Sequence, residues 1–327
     1  AGFTAGAARL EAGILATGAA AAVFAVNTAA KFDQSFRGLT TLIEEPTSAL
    51  GGFRKAILDY AQGSTQPLEQ ITAALGDAIG SGVRWQDSLA LLRVAEQGAV
   101  AGQAQLGEST RLLVGTLNAY GLGVDQVQRV SDVFFRTVGD GTIKISDLAN
   151  DFGRIAPLAA AAGVPVETLG AALAVLTQQG IQPSEAVTYL RSALSAILNP
   201  SSQAATLAQQ LGIQFDAQAL KSRGLAAVLN DVQRATGGNV QQMAELFGGT
   251  EALSAALGLT GANAGKFSTE LDRMKNAAGA TQTAFDRFSG ALGPAAQQLK
   301  NAIEVGLTGI GDRLLDESGG IVAALAA

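Results

Sequence analysis

Any chemistry in this chain has to come from carboxylates, hydroxyls, amines and glycine loops, because its 327 residues include neither Cys nor His. Disulfides, Cys/His zinc sites, thiol nucleophiles and imidazole bases are therefore excluded. Asp140-Gly141-Thr142-Ile143 has the Asp-Gly-x-Ile form of the bend in an EF-hand calcium loop. The preceding ligand positions would be Arg136 and Val138, which supply no carboxylate, so a tight turn is expected instead. Glu44-Glu45 and Asp316-Glu317 are paired carboxylates, but sequence neighbours do not face each other on a helix. Asp312 and Asp316 share a helical face without a complementary acid or ligand set. Gly121-x-Gly123 lacks the third glycine and the preceding strand of a dinucleotide fingerprint, and neither a P-loop nor a Gly-x-Ser-x-Gly elbow is present. The reading is of a chain without an active site: no catalytic, cofactor-binding or metal-ligating residues are expected, and no cofactor.

The composition points to a different kind of work. Charged residues make up 15% and hydrophobic residues 48%, against a charged share of roughly 25% in ordinary globular chains. Some of the surface must itself be apolar, and such a surface is normally covered by another subunit, a lumen wall or a membrane. A net charge of −6 argues against a phosphate-gripping face, so sequence-specific nucleic acid binding is not expected.

The elements are helical. From Ile155 to Ser201 the chain reads helix, stop, helix, stop, helix. Gly163 and Gly180 each end an apolar run and are followed by Val164 or Ile181, the pattern of a left-handed glycine with the next apolar side chain folding back. Pro165 and Pro183 prevent simple continuation, and Glu167 and Glu185 fall at the positive end of the next helix. Leu169, Leu173 and Leu176 share one face, as do Val187, Leu190, Leu194 and Ile197. Gly121 and Gly212 repeat the stop. If strand exists anywhere, it is around Ile143 to Ile145 and in a short extended piece from Phe215 to Leu220.

The fold class expected is all-α: a compact multi-helix globular domain of glycine-terminated short helices, flanked by long lead-in and exit helices. The expected divisions are residues 1–31 as an Ala/Gly-rich lead-in, 32–261 as the globular core and 262–327 as amphipathic exit helices that oligomerise. The chain does not begin with Met and is read as a piece of a longer protein. Residues 12–30 carry no charge and approach the ~20 residues needed to span a bilayer, but they are mostly Ala and Gly. The competing readings there are an Ala-rich packed helix and a membrane-inserting one. Phe32, Phe36 and Leu39 form a helical stripe; Phe285, Phe288, Leu292 and Leu299 recur at intervals of three, four and seven, and after a one-residue phase shift Ile303, Leu307 and Ile310 recur at four and three. These ten are the candidate oligomer or partner contacts, with an intramolecular groove as the alternative for the second set. Gly293-Pro294 is expected to kink that run or to start a second helix.

Three clusters, taken in order, resemble the tail tape measure proteins of long-tailed phages, prophages and gene transfer agents. They are Ala29-Ala30-Lys31-Phe32-Asp33; then Glu108-Ser109-Thr110-Arg111 with Leu117-Asn118-Ala119-Tyr120-Gly121; then Ala156-Pro157 through Gly163-Val164, Gly180-Ile181, Glu185-Ala186, Thr188, Leu190-Arg191-Ser192 and Asn199-Pro200-Ser201. Leu211-Gly212-Ile213 and then Phe247-Gly248 follow in the expected order. The resemblance covers roughly residues 30 to 260, and departs from the family at Val187 and Tyr189, where small residues are usual. It implies a structural virion component of the tail interior and tail tip, not an enzyme, acting in tail assembly, length determination, docking at the tip and release during genome delivery. The implied partners are other copies of the chain (a trimer or another small oligomer), tail-tip, distal tail and hub proteins, the tube lumen and the host membrane during ejection. A membrane-active protein inserting residues 12–30 and a cell-wall-degrading module are the alternatives.

Overall fold

Each expected stop is a left-handed glycine. The computed structural model describes residues 23–316, the side chains at 47, 292 and 313–316 excepted. Gly121, Gly163, Gly180 and Gly212 have φ of 62°, 72°, 84° and 66°. At Gly163 its own N–H reaches the Ala160 carbonyl at 3.0 Å and the Val164 N–H reaches Ala159 at 2.8 Å, so two of the orphan carbonyls of the last turn are satisfied. Val164 then folds back and is fully buried. Its carbonyl accepts the Tyr120 hydroxyl at 3.0 Å. Burial, reinforced by the charge of Glu167, pushes the Tyr120 phenol well above its ordinary value and keeps it a donor.

Among the described residues every regular element is helical. In order they are α1 (23–40), α2 (Gly51–Gly63), α3 (Leu68–Gly80), α4 (Trp85–Ala101), α5 (Leu106–Tyr120) and α6 (Val127–Asp140). Then follow α7 (Ile145–Asp151), α8 (Ala156–Ala161), α9 (Val166–Gln178), α10 (Pro183–Leu198), α11 (Ser202–Gln210) and α12 (Ala217–Thr236). The series closes with α13 (Val240–Phe247), α14 (Thr250–Leu259), α15 (Ala264–Lys275), α16 (Ala280–Ser289) and α17 (Leu292–Asp316). The all-α expectation holds. The strand candidates do not: Ile145 opens α7, and the Asp216 carboxylate accepts the Ala219 N–H at 2.8 Å and so starts α12. Gly293 and Pro294 lie in the first turn of α17, where a missing N–H costs nothing.

The chain divides into two compact units, Ala1–Leu89 with Ser289–Ala327, and Ala90–Phe288. This division differs from the expected boundaries at 31 and 261, and the reason is packing. In the first unit α2 runs antiparallel to α17, with Arg54 beside Asp312 at one end and Ala61 beside Asn301 at the other. Phe32, Phe36, Phe53 and Trp85 form an aromatic row with successive ring centroids 6.2, 6.3 and 5.2 Å apart. The Arg54 guanidinium lies 4.9 Å from the Phe32 ring centre and grips both Asp312 oxygens at 2.9 and 3.0 Å.

The second unit is built around α9, whose residues from Thr168 to Thr177 are all buried. A helix apolar on every side needs neighbours on every side. Here they are α6, α10, α14 and α15. Helix α16 is tied to the same unit by the buried Asp132 of α6, which accepts the Gly279 and Thr281 N–H groups.

Candidate functional site

The arrangements that invited chemistry have structural occupations. Asp140 ends α6 and pairs with Arg273, and Ile145 starts α7 soon after, so the calcium-loop residues are a turn. Glu45 accepts the Trp85 indole N–H at 3.1 Å, while Glu44 is exposed. Asp312 is the partner of Arg54, and the Asp316 side chain lies outside the described residues. Among the described residues no group of three or more acidic side chains is placed to hold a metal ion, and no helix is long and apolar enough to cross a membrane. Most of the run 12–30 lies outside the described residues. Its end belongs to α1, where Ala25 and Ala29 are buried.

The ten candidate contact residues separate into two kinds. Phe32, Phe36 and Leu39 are 3%, 4% and 3% exposed, taken up by the first unit's own core. Their stripe is real, but what it meets is α2 and α3: Phe53 lies against Phe36, and Leu39 against Gly76. A partner chain has no access to them while the unit is folded. On α16, Phe285 is half-buried and Phe288 exposed. On α17, Leu299, Ile303 and Ile310 are 65%, 54% and 52% exposed and Leu307 is half-buried. The Leu292 side chain is outside the described set.

Helix α17 is oriented against its own apolar pattern. At about 100° per residue, Leu299, Ile303 and Ile310 fall within a narrow arc, and Asn301, Val305 and Thr308 fall on the opposite side. It is the second set that faces inward. Asn301 is fully buried and its amide reaches the carbonyls of Ala61, Ser64 and Gln66 at 3.0, 2.9 and 2.7 Å, closing the C-terminal end of α2. Gly311 lies so close to α1 that a Cβ there would be 2.5 Å from the Ala25 carbonyl oxygen and 2.7 Å from the Ala29 methyl. The first unit thus spends the polar and small-residue face of α17 on its own packing and leaves the apolar seam outward. Sequence reasoning missed Asn301. The signal was a lone amide on the face opposite a clean apolar stripe, where a polar side chain must have a buried partner.

A second surface feature lies in the other unit. A groove of about 460 Å³ runs between α10, the start of α11 and the junction of α13 with α14, lined by Ser192, Asn199, Ser201, Phe247, Gly248 and Glu251 among others. The Ser192 hydroxyl donates to Glu251 at 2.7 Å. Ser192, Asn199-Pro200-Ser201 and Phe247-Gly248 are stretches that carried the resemblance, and the fold brings them to one place.

A family model described as phage-related minor tail protein matches residues 54–248, more than half of the chain. The chain belongs to that family. The match begins at Arg54 and ends at Gly248, one of the residues lining the groove, so the α17 seam lies beyond it. A tape measure protein of Pneumococcus phage Dp-1 is 28% identical over 216 residues, covering 64% of this chain and 19% of its own length. Probable tape measure proteins of Escherichia phage P2 and Clostridium phage phiCD119 are 25% and 24% identical over 234 and 292 residues. They cover 69% and 86% of this chain, and 28% and 31% of their own lengths. The chain therefore spans about a fifth to a third of the curated relatives it matches. No solved structure matches. The tape measure resemblance stands.

Proposed function

We propose that this chain is the folded helical segment of a tail tape measure protein, held in several copies inside the tail and at its tip, where it takes part in assembly, docks against tip and hub proteins, and leaves during genome delivery. The observation that supports it most is the family match over a core of glycine-stopped helices, joined to a long helix whose apolar seam faces outward. This segment is not itself the ruler, because a ruler needs a long uniform helix and these helices are short. The seam is where copies meet. Covering the exposed half of each seam side chain gains about 1 kcal/mol, so the seams of two copies together give about 6 kcal/mol, at the low end of the ~4–15 kcal/mol that association costs. Contact between copies then needs the high local concentration of a confined lumen or help from neighbouring chain.

Analytical ultracentrifugation at millimolar concentration tests this with wild type and the triple variant L299E/I303E/I310E. Wild type is expected to form a small oligomer and the variant to stay monomeric and folded. A wild-type chain that remains monomeric, or a variant that still associates, would remove the seam from the account.

A further inference from the structure

Helix α15 joins its unit through a stripe in which one position is wrong for burial. Phe267 and Met274 are buried as the helical register requires, Ala277 follows just beyond the helix, and Glu270 stands between them at 7% exposure. Met274 packs against Thr137 of α6 and Gly170 of α9. The groups that act on the Glu270 carboxyl are Asp140, the last residue of α6; Gln178, the last of α9 and uncharged; and Arg273 on α15 itself, while α12, which also packs on α15, supplies none.

One guanidinium serves two carboxylates here. Arg273 is 2.6 Å from Asp140 Oδ1 but 3.5 Å from Glu270 Oε1. The other oxygens, Asp140 Oδ2 and Glu270 Oε2, are buried without a donor. The C-terminal ends of α6 and α9 both arrive at this point and add partial negative charge. A buried acceptor without a donor is costly, and carboxyls coupled to each other as Glu270 and Asp140 are can be satisfied together by a single hydrogen.

We propose that Glu270 and Asp140 share one proton, and that this proton is a latch holding α15 against α6 and α9. Burial, and then the charge of Asp140, raise Glu270 above the ordinary carboxylate range. With the folded-state value raised above the unfolded one, the folded form binds the extra proton. Attachment is therefore strongest at low pH, weakens as pH rises through the folded-state value, and is flat above it. The isosteric amide in E270Q replaces the proton permanently.

The test is hydrogen exchange of the α15 amides in the full chain from pH 4 to pH 8, corrected for the intrinsic pH dependence of exchange, in wild type and E270Q. Wild-type protection should fall with rising pH, by about tenfold for each unit by which folding raises Glu270. E270Q should be flat, and at pH 8 better protected than wild type. Wild-type protection that does not change with pH, an E270Q chain that keeps the wild-type slope, or one less protected than wild type at pH 8 would each overturn the latch.

Discussion

Asp132 caps a helix from 149 residues away: its Oδ1 accepts the Thr281 N–H at 2.9 Å, while Oδ2 accepts Gly279 at the same distance. The cap is buried, and Gly279, the residue before α16, has no side chain to take its place. The substitution D132A leaves two amide donors without partners and should cost about 2 kcal/mol. Urea unfolding measures the loss, and hydrogen exchange should place it first in α16. D132N keeps one acceptor oxygen and should cost about half as much.

Asn301 is the counterpart in the other unit. N301A removes the donor from three carbonyls at the end of α2 and should destabilise by about 1–3 kcal/mol. N301D should be worse, because a carboxylate would face carbonyl oxygens. A thermal melt of each variant checks the order wild type, N301A, N301D.

The contact of Gly311 with α1 has no room for a methyl group, and its nearest neighbour is backbone that cannot swing aside. G311A is expected to lower stability by about 1–3 kcal/mol through overpacking. G309A, two residues earlier with open space around it, should gain about 0.5–1 kcal/mol from helix propensity. The pair measured together separates crowding from propensity.

On the exposed seam the expectation is reversed. L299E and I303E should each leave monomer stability within about 0.5 kcal/mol, since these side chains touch mainly solvent. F36E, on the stripe buried in the core, should prevent the first unit from folding. Circular dichroism melts distinguish the two stripes directly.

That contrast also marks what was legible in the sequence. Periodicity tells which residues share a face, and it found both the Phe32–Leu39 stripe and the Leu299–Ile310 seam. It cannot tell what the face meets, which is decided by elements distant in the chain. Phe36 meets Phe53, whereas Leu299 is turned outward because Asn301 and Gly311 on the other side of α17 have fixed partners in α2 and α1. The glycine stops were legible because they are local: a left-handed residue, a β-branched residue folding back and an acid at the next helix start lie within five positions. The extended reading of Phe215 to Leu220 failed to weigh Asp216 as a cap, although that signal is local too. Glu270 and Asp140 were invisible as a pair because only the meeting of α6, α9 and α15 makes them neighbours. The groove residues were readable as motifs but not as one surface.

The measurement that tests the central claim most directly is quantitative mass spectrometry of density-purified tailed particles from the source organism, taking the ratio of this chain to the tube-forming protein. A handful of copies against many tube subunits is the predicted result. Absence of the chain from clean particles would contradict the account.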